Sequence, residues 1–295
     1  VASGSSSLDV VMSGDAADLA VTATASGGQA YGVIADNSAV ATFKGMNKLA
    51  VSSDSMAAGV FAHHGGAVSG DVNEIDVESV NGTAHGIYAW RSGSADIAMS
   101  GDMKVKSDKG IAYGLRARNS GDITLTGAQS MTVSADSGSA YGAWSESGSN
   151  VNAALSGDMT VESASNGKAY GIVASSDSKE TITGLQNLKV TASDDLATGI
   201  EALNGSSADV AMTGNIDVST KSGDATGTVA SDNSRLNLSG ANTMTVTTAS
   251  GDAYGIFAYN KSTVSGDLAS SMTVSADKGN AEGIERQGAQ QDVDD

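Results

Sequence analysis

The chain has no cysteine and no proline among its 295 residues. Disulfide bonds are therefore excluded, and the absence of cysteine fits the cytosol as well as an exported protein that crosses membranes unfolded. Aromatic residues are also scarce, with two tryptophans, seven tyrosines and three phenylalanines. A conventional globular core would lack bulky side chains to fill it.

Basic residues are few, 16 against 34 acidic ones, and the formal net charge is −18. Such a surface repels phosphate backbones and anionic lipid head groups, so we expect no nucleic-acid partner. Apolar runs of the roughly 20 residues needed to cross a bilayer are missing too, and we expect no membrane-spanning segment. A charged start followed by an apolar stretch, typical of a signal peptide, is also missing, which favours a mature or excised segment.

Repetition is what the chain has instead. A six-residue motif, seen as AYGIVA in residues 169–174, recurs at intervals of about 28 residues with alanine always first and glycine always third. The motif glycines are Gly32, Gly59, Gly86, Gly114, Gly142, Gly171, Gly199, Gly227, Gly255 and Gly283.

Two further strand patterns accompany each motif. One reads apolar, polar, valine, as in MTV ending at Val161, and the other reads apolar, any, apolar, Ser/Thr, Gly, as in ITLTG from Ile123. The segments are too short, too β-branched and too often broken by glycine for a helical solenoid. The sequence predicts an all-β fold over residues 1–285, a single-stranded parallel β-solenoid of about ten rungs with three short strands each, followed by an acidic flexible tail at 286–295.

Column by column, the repeat also predicts the core. The apolar position before each valine holds a methionine stripe that includes Met103, Met131 and Met159, and we interpret it as adaptable core filling. Motif positions one, four and six are predicted to face inward, which breaks the alternation of a regular strand, so the glycine between them should form a bend or bulge. From Gly86 onward, alternate repeats have two residues fewer before the corner glycine and two more after it. The two changes cancel, so the strand register is kept.

Motif positions two and five vary, and because they accept Arg, Glu, His and Thr we expect them to be exposed to solvent. Most of the aromatic residues lie in these two columns or directly after them. Two interpretations stay open, a binding strip for sugar rings or a protein, and rings that stack only to stabilise the sheet. The candidate binding residues are Phe61, Tyr88, Trp90, Tyr113, Tyr141, Trp144, Tyr170, Tyr254 and Phe257.

Catalytic patterns are weak. The DSGS stretch around Ser137 is one copy of a repeat turn, and the SGD aspartates recur periodically as solvated turn residues should. His63 and His64 share no column with His85, which argues against a triad or a metal cluster. Calcium-binding repeats are absent as well. We therefore predict no catalytic residues, no cofactor and no metal.

The stretch SGDMTVESASNGKAYGIVA in residues 156–174 and its relatives, which extend over roughly residues 8–285, resemble the passenger region of bacterial autotransporters, and more loosely the filamentous haemagglutinin-type adhesins. The resemblance implies a right-handed parallel β-helix on the bacterial cell surface, with roles in adhesion, aggregation or biofilm formation. It further implies that this chain is a passenger segment of a longer protein.

From these observations the expected function is a non-catalytic, extracellular β-helical stalk or adhesin segment. Its partners would be glycans or proteins of a host cell or matrix, or copies of itself. Two alternatives remain: a self-assembling filament or surface-layer component, and a carbohydrate-active enzyme with a β-helical fold.

Overall fold

A computed structural model describes residues 2–3, 7–11 and 20–287, with side chains from 21 to 285. All regular secondary structure in these residues is β-strand, and every strand pairing is parallel. The chain winds into a β-solenoid of about nine turns, so the predicted fold class is confirmed. The tail predicted at 286–295 lies outside the described residues, except that the backbone of the last strand continues to residue 287.

One sheet of eleven strands forms the motif face of the solenoid. Its strands are β1 (Ala2–Ser3), β4 (Ala30–Asp36), β6 (Ala57–His63), β8 (Ala84–Trp90), β11 (Ala112–Arg118), β14 (Ala140–Glu146), β17 (Ala169–Ser175), β20 (Ala197–Leu203), β23 (Ala225–Ser231), β25 (Ala253–Tyr259) and β27 (Ala281–Gln287). We number the rungs by these motif strands, from β4 in rung one to β27 in rung ten.

The other sheet has sixteen strands and covers the two remaining sides. They are β2 (Ser7–Val11), β3 (Ala20–Ala25), β5 (Val40–Ser53), β7 (Ala67–Ser79), β9 (Ser94–Met99), β10 (Met103–Ser107), β12 (Asp122–Ala128), β13 (Met131–Ala135), β15 (Asn150–Leu155), β16 (Met159–Ser163), β18 (Lys179–Leu185), β19 (Leu188–Ala192), β21 (Ser207–Met212), β22 (Ile216–Thr220), β24 (Arg235–Thr248) and β26 (Thr263–Ala276). In β5, β7, β24 and β26 the second and third predicted strands form one continuous strand, so three short strands per rung describes only the other rungs.

The core is built from identical or similar side chains that stack from rung to rung. Met103 pairs with Met131, and Met131 with Met159, while the valines two residues later pair in the same way. These three methionines are fully buried, which confirms the core interpretation of the methionine stripe. Because strands lie about 4.8 Å apart, each side chain contacts its counterparts directly above and below.

The motif glycine interrupts the pairing of the motif strands from β4 onward, as predicted. Pairing between β11 and β14 runs through Tyr113, skips Gly114 and resumes at Leu115. A Cβ atom added to Gly114 would lie 2.5 Å from both the Gly142 carbonyl oxygen and the Met131 sulfur. Gly114 does not adopt a left-handed backbone, so the position requires glycine because no space exists for a side chain. Positions three and four both point inward, and the strand kinks toward the core.

The alternating corner is confirmed as well. Gly127, Gly184 and Gly240 have φ values of +77°, +70° and +73°, and the pairing register shifts beside them. The corresponding glycines of the intervening rungs have no such φ. From rung four to rung eight, a left-handed glycine in alternate rungs thus absorbs the two-residue shift, and the register of the following strand stays intact.

Serines organise the corner that follows the motif strand. The backbone N–H of Ser149 donates to the Ser178 hydroxyl at 3.1 Å, Ser178 donates to Ser206 at 3.0 Å, and Ser206 donates to Ser234 at 3.2 Å. All four serines are buried. Since a buried backbone N–H without a partner is costly, this serine ladder supplies acceptors where the sheet ladder is interrupted.

Glu180 is a polar exception in the core. Its side chain is 0% exposed, and its column neighbours in adjacent rungs are Val151 and Ala208. Burial raises the pKa of this carboxyl well above its usual value, and the nearby hydroxyl and amide of Ser145 oppose that shift. Neither carboxyl oxygen makes a hydrogen bond of good geometry. Burial in this apolar column therefore favours the neutral form of Glu180 in the folded protein.

We predict that Val161→Asp strongly destabilises the solenoid. Val161 is fully buried between Val133 and Val190, and burying an unpaired carboxylate costs several kcal/mol. The matched control is Thr160→Asp, which places the same group on the outer side of the same strand. Urea unfolding followed by far-UV dichroism should show a much lower midpoint for Val161→Asp than for Thr160→Asp. Equal midpoints would contradict the stacked core.

We also predict a pH-dependent stability contribution from Glu180. Its folded-state pKa is raised, so as pH rises above the unfolded value of about 4.3 the unfolded chain ionises first. The free energy of unfolding then falls by about 1.4 kcal/mol per pH unit until the folded pKa is reached. Glu180→Gln should remove this loss, so its stability relative to wild type should increase with pH in measurements from about pH 5 upward.

The control for this substitution is Glu78→Gln, which removes an exposed carboxylate. Thermal unfolding of both variants and wild type across that pH range isolates the Glu180 contribution from the general effect of the acidic surface. A stability difference between Glu180→Gln and wild type that stays constant with pH would show that Glu180 ionises in the folded state like an exposed carboxyl.

Candidate binding groove

The kink at the motif glycine forms a groove along the outside of the motif face. Residues three apart on a regular strand point to opposite faces and lie about 10 Å apart. Here His85 and Tyr88 of rung three have ring centroids 4.5 Å apart, and Tyr141 and Trp144 of rung five are 4.6 Å apart. Positions two and five therefore converge on the outer surface. We call this feature, in rungs one to six, the ring groove.

A continuous stack of rings fills the ring groove from rung one to rung six. It changes column where Ala58 leaves a gap at position two, and passes through position five in rungs two and three. Successive ring centroids are 4.5–5.4 Å apart along the path Tyr31, Phe61, Tyr88, His85, Tyr113, Tyr141 and Tyr170. Most ring pairs are nearly parallel, so the rings stack on one another along the groove.

The expected solvent exposure of these columns is wrong for the most central residues. Phe61 and Tyr88 are 5% exposed and Tyr113 is 3% exposed. Each ring is covered above and below by its neighbours in the stack and laterally by the opposite column. Burial accordingly raises the pKa values of Tyr113 and Tyr170. The remaining candidates, Trp90, Tyr141, Trp144, Tyr170, Tyr254 and Phe257, are partly buried.

Tyr254 and Phe257 do not join this stack. They form a separate pair in rung nine, with centroids 5.5 Å apart. Position two in rungs seven and eight is threonine, and position five holds Glu201 and Val229. The predicted strip is thus two clusters separated by two rungs without aromatic residues.

Arg116 shows how a cation fits into an aromatic column. Its guanidinium lies 4.4 Å from the Tyr113 ring centroid and 5.3 Å from that of Trp144. One of its nitrogens contacts Glu146 Oε1 at 3.0 Å, and only 15% of the side chain is exposed. Cation–π contacts and a partly buried ion pair therefore replace ring stacking at this position.

Glu201 places a titratable group at the other end of the groove. It occupies position five next to Val173 and Val229, and burial raises its pKa to about 7, with Lys168 opposing the shift. Its charge also contributes to the raised pKa of Tyr170. The last ring of the stack therefore borders a carboxyl group whose ionisation changes near neutral pH.

A cavity of about 610 Å³ opens in the groove at rungs one to four. Tyr31, Phe61, Tyr88 and Trp90 form its aromatic wall, and Met56 and Thr83 lie at the turn preceding the motif strands. Polar groups also face this space, with Asp36, His63, His85 and Arg116 among the lining residues. The cavity combines an apolar wall with both charges and neutral hydrogen-bonding groups, as small-ligand sites do.

Sequence reasoning missed a cluster beside this cavity. His63 and His64 each place Nδ1 3.2 Å from Asp36 Oδ1. His85, with which these histidines share no column in the sequence, lies in the stack and not in this cluster. A signal was present, because Asp36 and His63 both follow the motif directly and pair in adjacent strands. Burial lowers the pKa of His63, and His64 lowers it further, whereas Asp36 raises it.

We predict that the ring stack contributes most to stability where it is buried. Tyr113→Ser should lower the free energy of unfolding by about 3 kcal/mol, since loss of a buried aromatic side chain costs about that much. Tyr254→Ser makes the same change at the same motif position in the separate cluster, and should cost less than half as much. Urea denaturation measures both. Equal losses would contradict a stabilising role that depends on the continuous stack.

No protein-family model, curated protein or solved structure matches this chain. Among the residues that the structure describes, no helix is long and apolar enough to cross a membrane. The functional conclusion therefore depends on the geometry of the solenoid, its groove and its cavity.

Proposed function

We propose that this chain is a non-catalytic stalk or adhesin segment of a bacterial surface protein, exposed outside the cell. It binds a glycan or protein of a host cell or matrix in the cavity of rungs one to four. The observation that carries this proposal is the position of that cavity, an aromatic-walled site of about 610 Å³ on the side of a rigid rod.

The rod itself supports the stalk role. Nine successive in-register pairings connect the motif strands from β4 to β27, a distance of about 43 Å at about 4.8 Å per strand. Its core is continuous along most of this length. Each rung of a solenoid is stacked directly on its neighbours. A site on the side of the rod is therefore held at a fixed distance from the end of the rod.

The ring stack limits where on the groove a partner can bind. Because most ring faces are covered by other rings, sugar rings cannot stack on them along the whole groove. The cavity is different, since there Tyr31, Ile34 and Met56 are only partly buried around Phe61. An incoming group can insert between these side chains and reach Asp36 and Arg116. A sugar with hydroxyl groups or a short polar peptide fits this combination of apolar wall and charge.

We expect Thr83→Tyr to fill the cavity and weaken attachment at least tenfold. Thr83 is half-buried at the cavity, and its backbone already pairs with Ala57, so the larger side chain leaves the strand intact. Leu196→Tyr makes the same kind of change directly before the motif strand of rung seven and serves as control. Labelled protein is incubated with an immobilised glycan array and with cultured epithelial cells.

Loss of attachment in both variants would contradict the cavity as the site, and absence of attachment by the folded wild type would contradict the adhesin role. Concentration-dependent filaments in electron micrographs of a protein that does not attach would support the self-assembling alternative. Release of reducing ends from the glycans would support an enzyme.

A further inference from the structure

We propose that Asp36, His63 and His64 bind one divalent transition-metal ion of the zinc type at the edge of the cavity. The three ligand atoms are Asp36 Oδ1 and the two histidine Nδ1 atoms, and no two of them are more than 4.8 Å apart. Neither the proposed attachment function nor the stacking of the groove requires this site.

The two distances to the Asp36 carboxylate suit such an ion. Each Nδ1 atom lies 3.2 Å from Asp36 Oδ1. An ion about 2.05 Å from both atoms of such a pair subtends an angle of about 103°, close to the tetrahedral value of about 109° that zinc sites adopt. Two imidazoles and one carboxylate select zinc-like ions over Ca²⁺ and Mg²⁺, which prefer oxygen ligands only.

The fold already holds the ligands in place. Asp36 and His63 are paired in adjacent strands β4 and β6, and the His63 ring is stacked 5.1 Å from Phe61 and 4.5 Å from Trp90. His64 lies in the corner with φ +47°. Its carbonyl accepts a hydrogen bond from Ser38 N–H at 3.0 Å and its N–H donates to Trp90 at 3.2 Å. Little ordering is therefore left for an ion to impose.

Arg91 competes with the ion through His64. An Arg91 guanidinium nitrogen lies 2.7 Å from His64 Nε2, which makes that nitrogen the acceptor and leaves the proton on Nδ1 toward Asp36. A metal ion on Nδ1 moves the proton to Nε2, and the contact with Arg91 is lost. Arg91 is exposed and also lies 4.4 Å from the Trp90 ring centroid, so it has an alternative position on that ring.

The site is open toward the cavity. Asp36 and His63 both line the cavity, and three protein ligands leave at least one coordination position free, as in zinc sites that bind exogenous groups. A carboxylate or imidazole of an incoming molecule is the chemical class that would complete the coordination. The ion would then connect the rod to whatever enters the cavity.

The proposal can be tested by titrating ZnCl₂ into the untagged, chelator-treated chain and measuring the heat of binding by calorimetry. The absorption spectrum of bound Co²⁺ reports independently whether nitrogen atoms coordinate the ion. We expect one ion per chain, retained in excess Mg²⁺ and Ca²⁺. Asp36→Asn and His64→Asn should each weaken binding by about 100-fold or more, exceeding the 10–100-fold loss typical of outer-sphere changes. Asn119 occupies the position of His64 in rung four, so His64→Asn preserves the corner.

His85→Phe is the matched control, because it removes the remaining histidine, keeps a ring in the stack, and should leave the affinity unchanged. Arg91→Gln should raise the affinity by a few-fold. The proposal is overturned if wild type binds no zinc, if His64→Asn binds as well as wild type, or if His85→Phe loses as much affinity as His64→Asn. If exposed carboxylates alone held the zinc, His64→Asn would bind it as well as wild type.

Discussion

The close approach of each motif glycine to the next rung is the contact on which the shape of this solenoid depends. In rung four a Cβ on Gly114 would lie 2.5 Å from the Gly142 carbonyl and from the Met131 sulfur, and the same geometry repeats with Gly142 and Gly171. Any side chain would push the motif face outward. The strand then could not place positions three and four both toward the core, and positions two and five would not converge. The groove, its ring stack and its cavity are consequences of that missing side chain.

Because the rungs stack in register, the contacts and the pKa of a polar or charged residue depend on the column that it occupies. Arg116 fits between rings because its guanidinium contacts three of them and pairs with Glu146. Burial raises the pKa of Glu201, which is only partly shielded, to about 7, whereas the pKa of Glu180, turned into the core, is raised well above its usual value. The effect of burial on the pKa of a glutamate side chain thus depends on which side of the strand the residue occupies. A repeat protein can acquire local chemistry at a single rung without changing the register of the others.

The sequence predicted the repeat, the three strand columns, the methionine core and the alternating corner, because each depends on neighbours at fixed spacing along one chain. Exposure of the aromatic columns was mispredicted, because the bend at the glycine was expected but not that it brings Trp144 toward Tyr113, so that the rings cover one another. The pairing of Asp36 with His63 could have been found from their shared position directly after the motif. His64 could not, because its side chain reaches Asp36 from a corner residue with a left-handed backbone, and residue types alone do not give that direction.

The covering of ring faces constrains function more than the number of aromatic residues does. A flat row of exposed rings would bind carbohydrate along the whole rod with little selectivity, whereas a stack that buries its own faces leaves only edges and gaps. Ala58 creates such a gap by replacing a ring at position two, and the stack shifts to Phe61 beside it. Tyr31 and Phe61 on either side of this shift line the cavity, and Asp36, His63 and Arg116 line it from rungs one, two and four. Under the proposed attachment function, specificity would arise where the repeat is broken, and the unbroken part would supply rigidity.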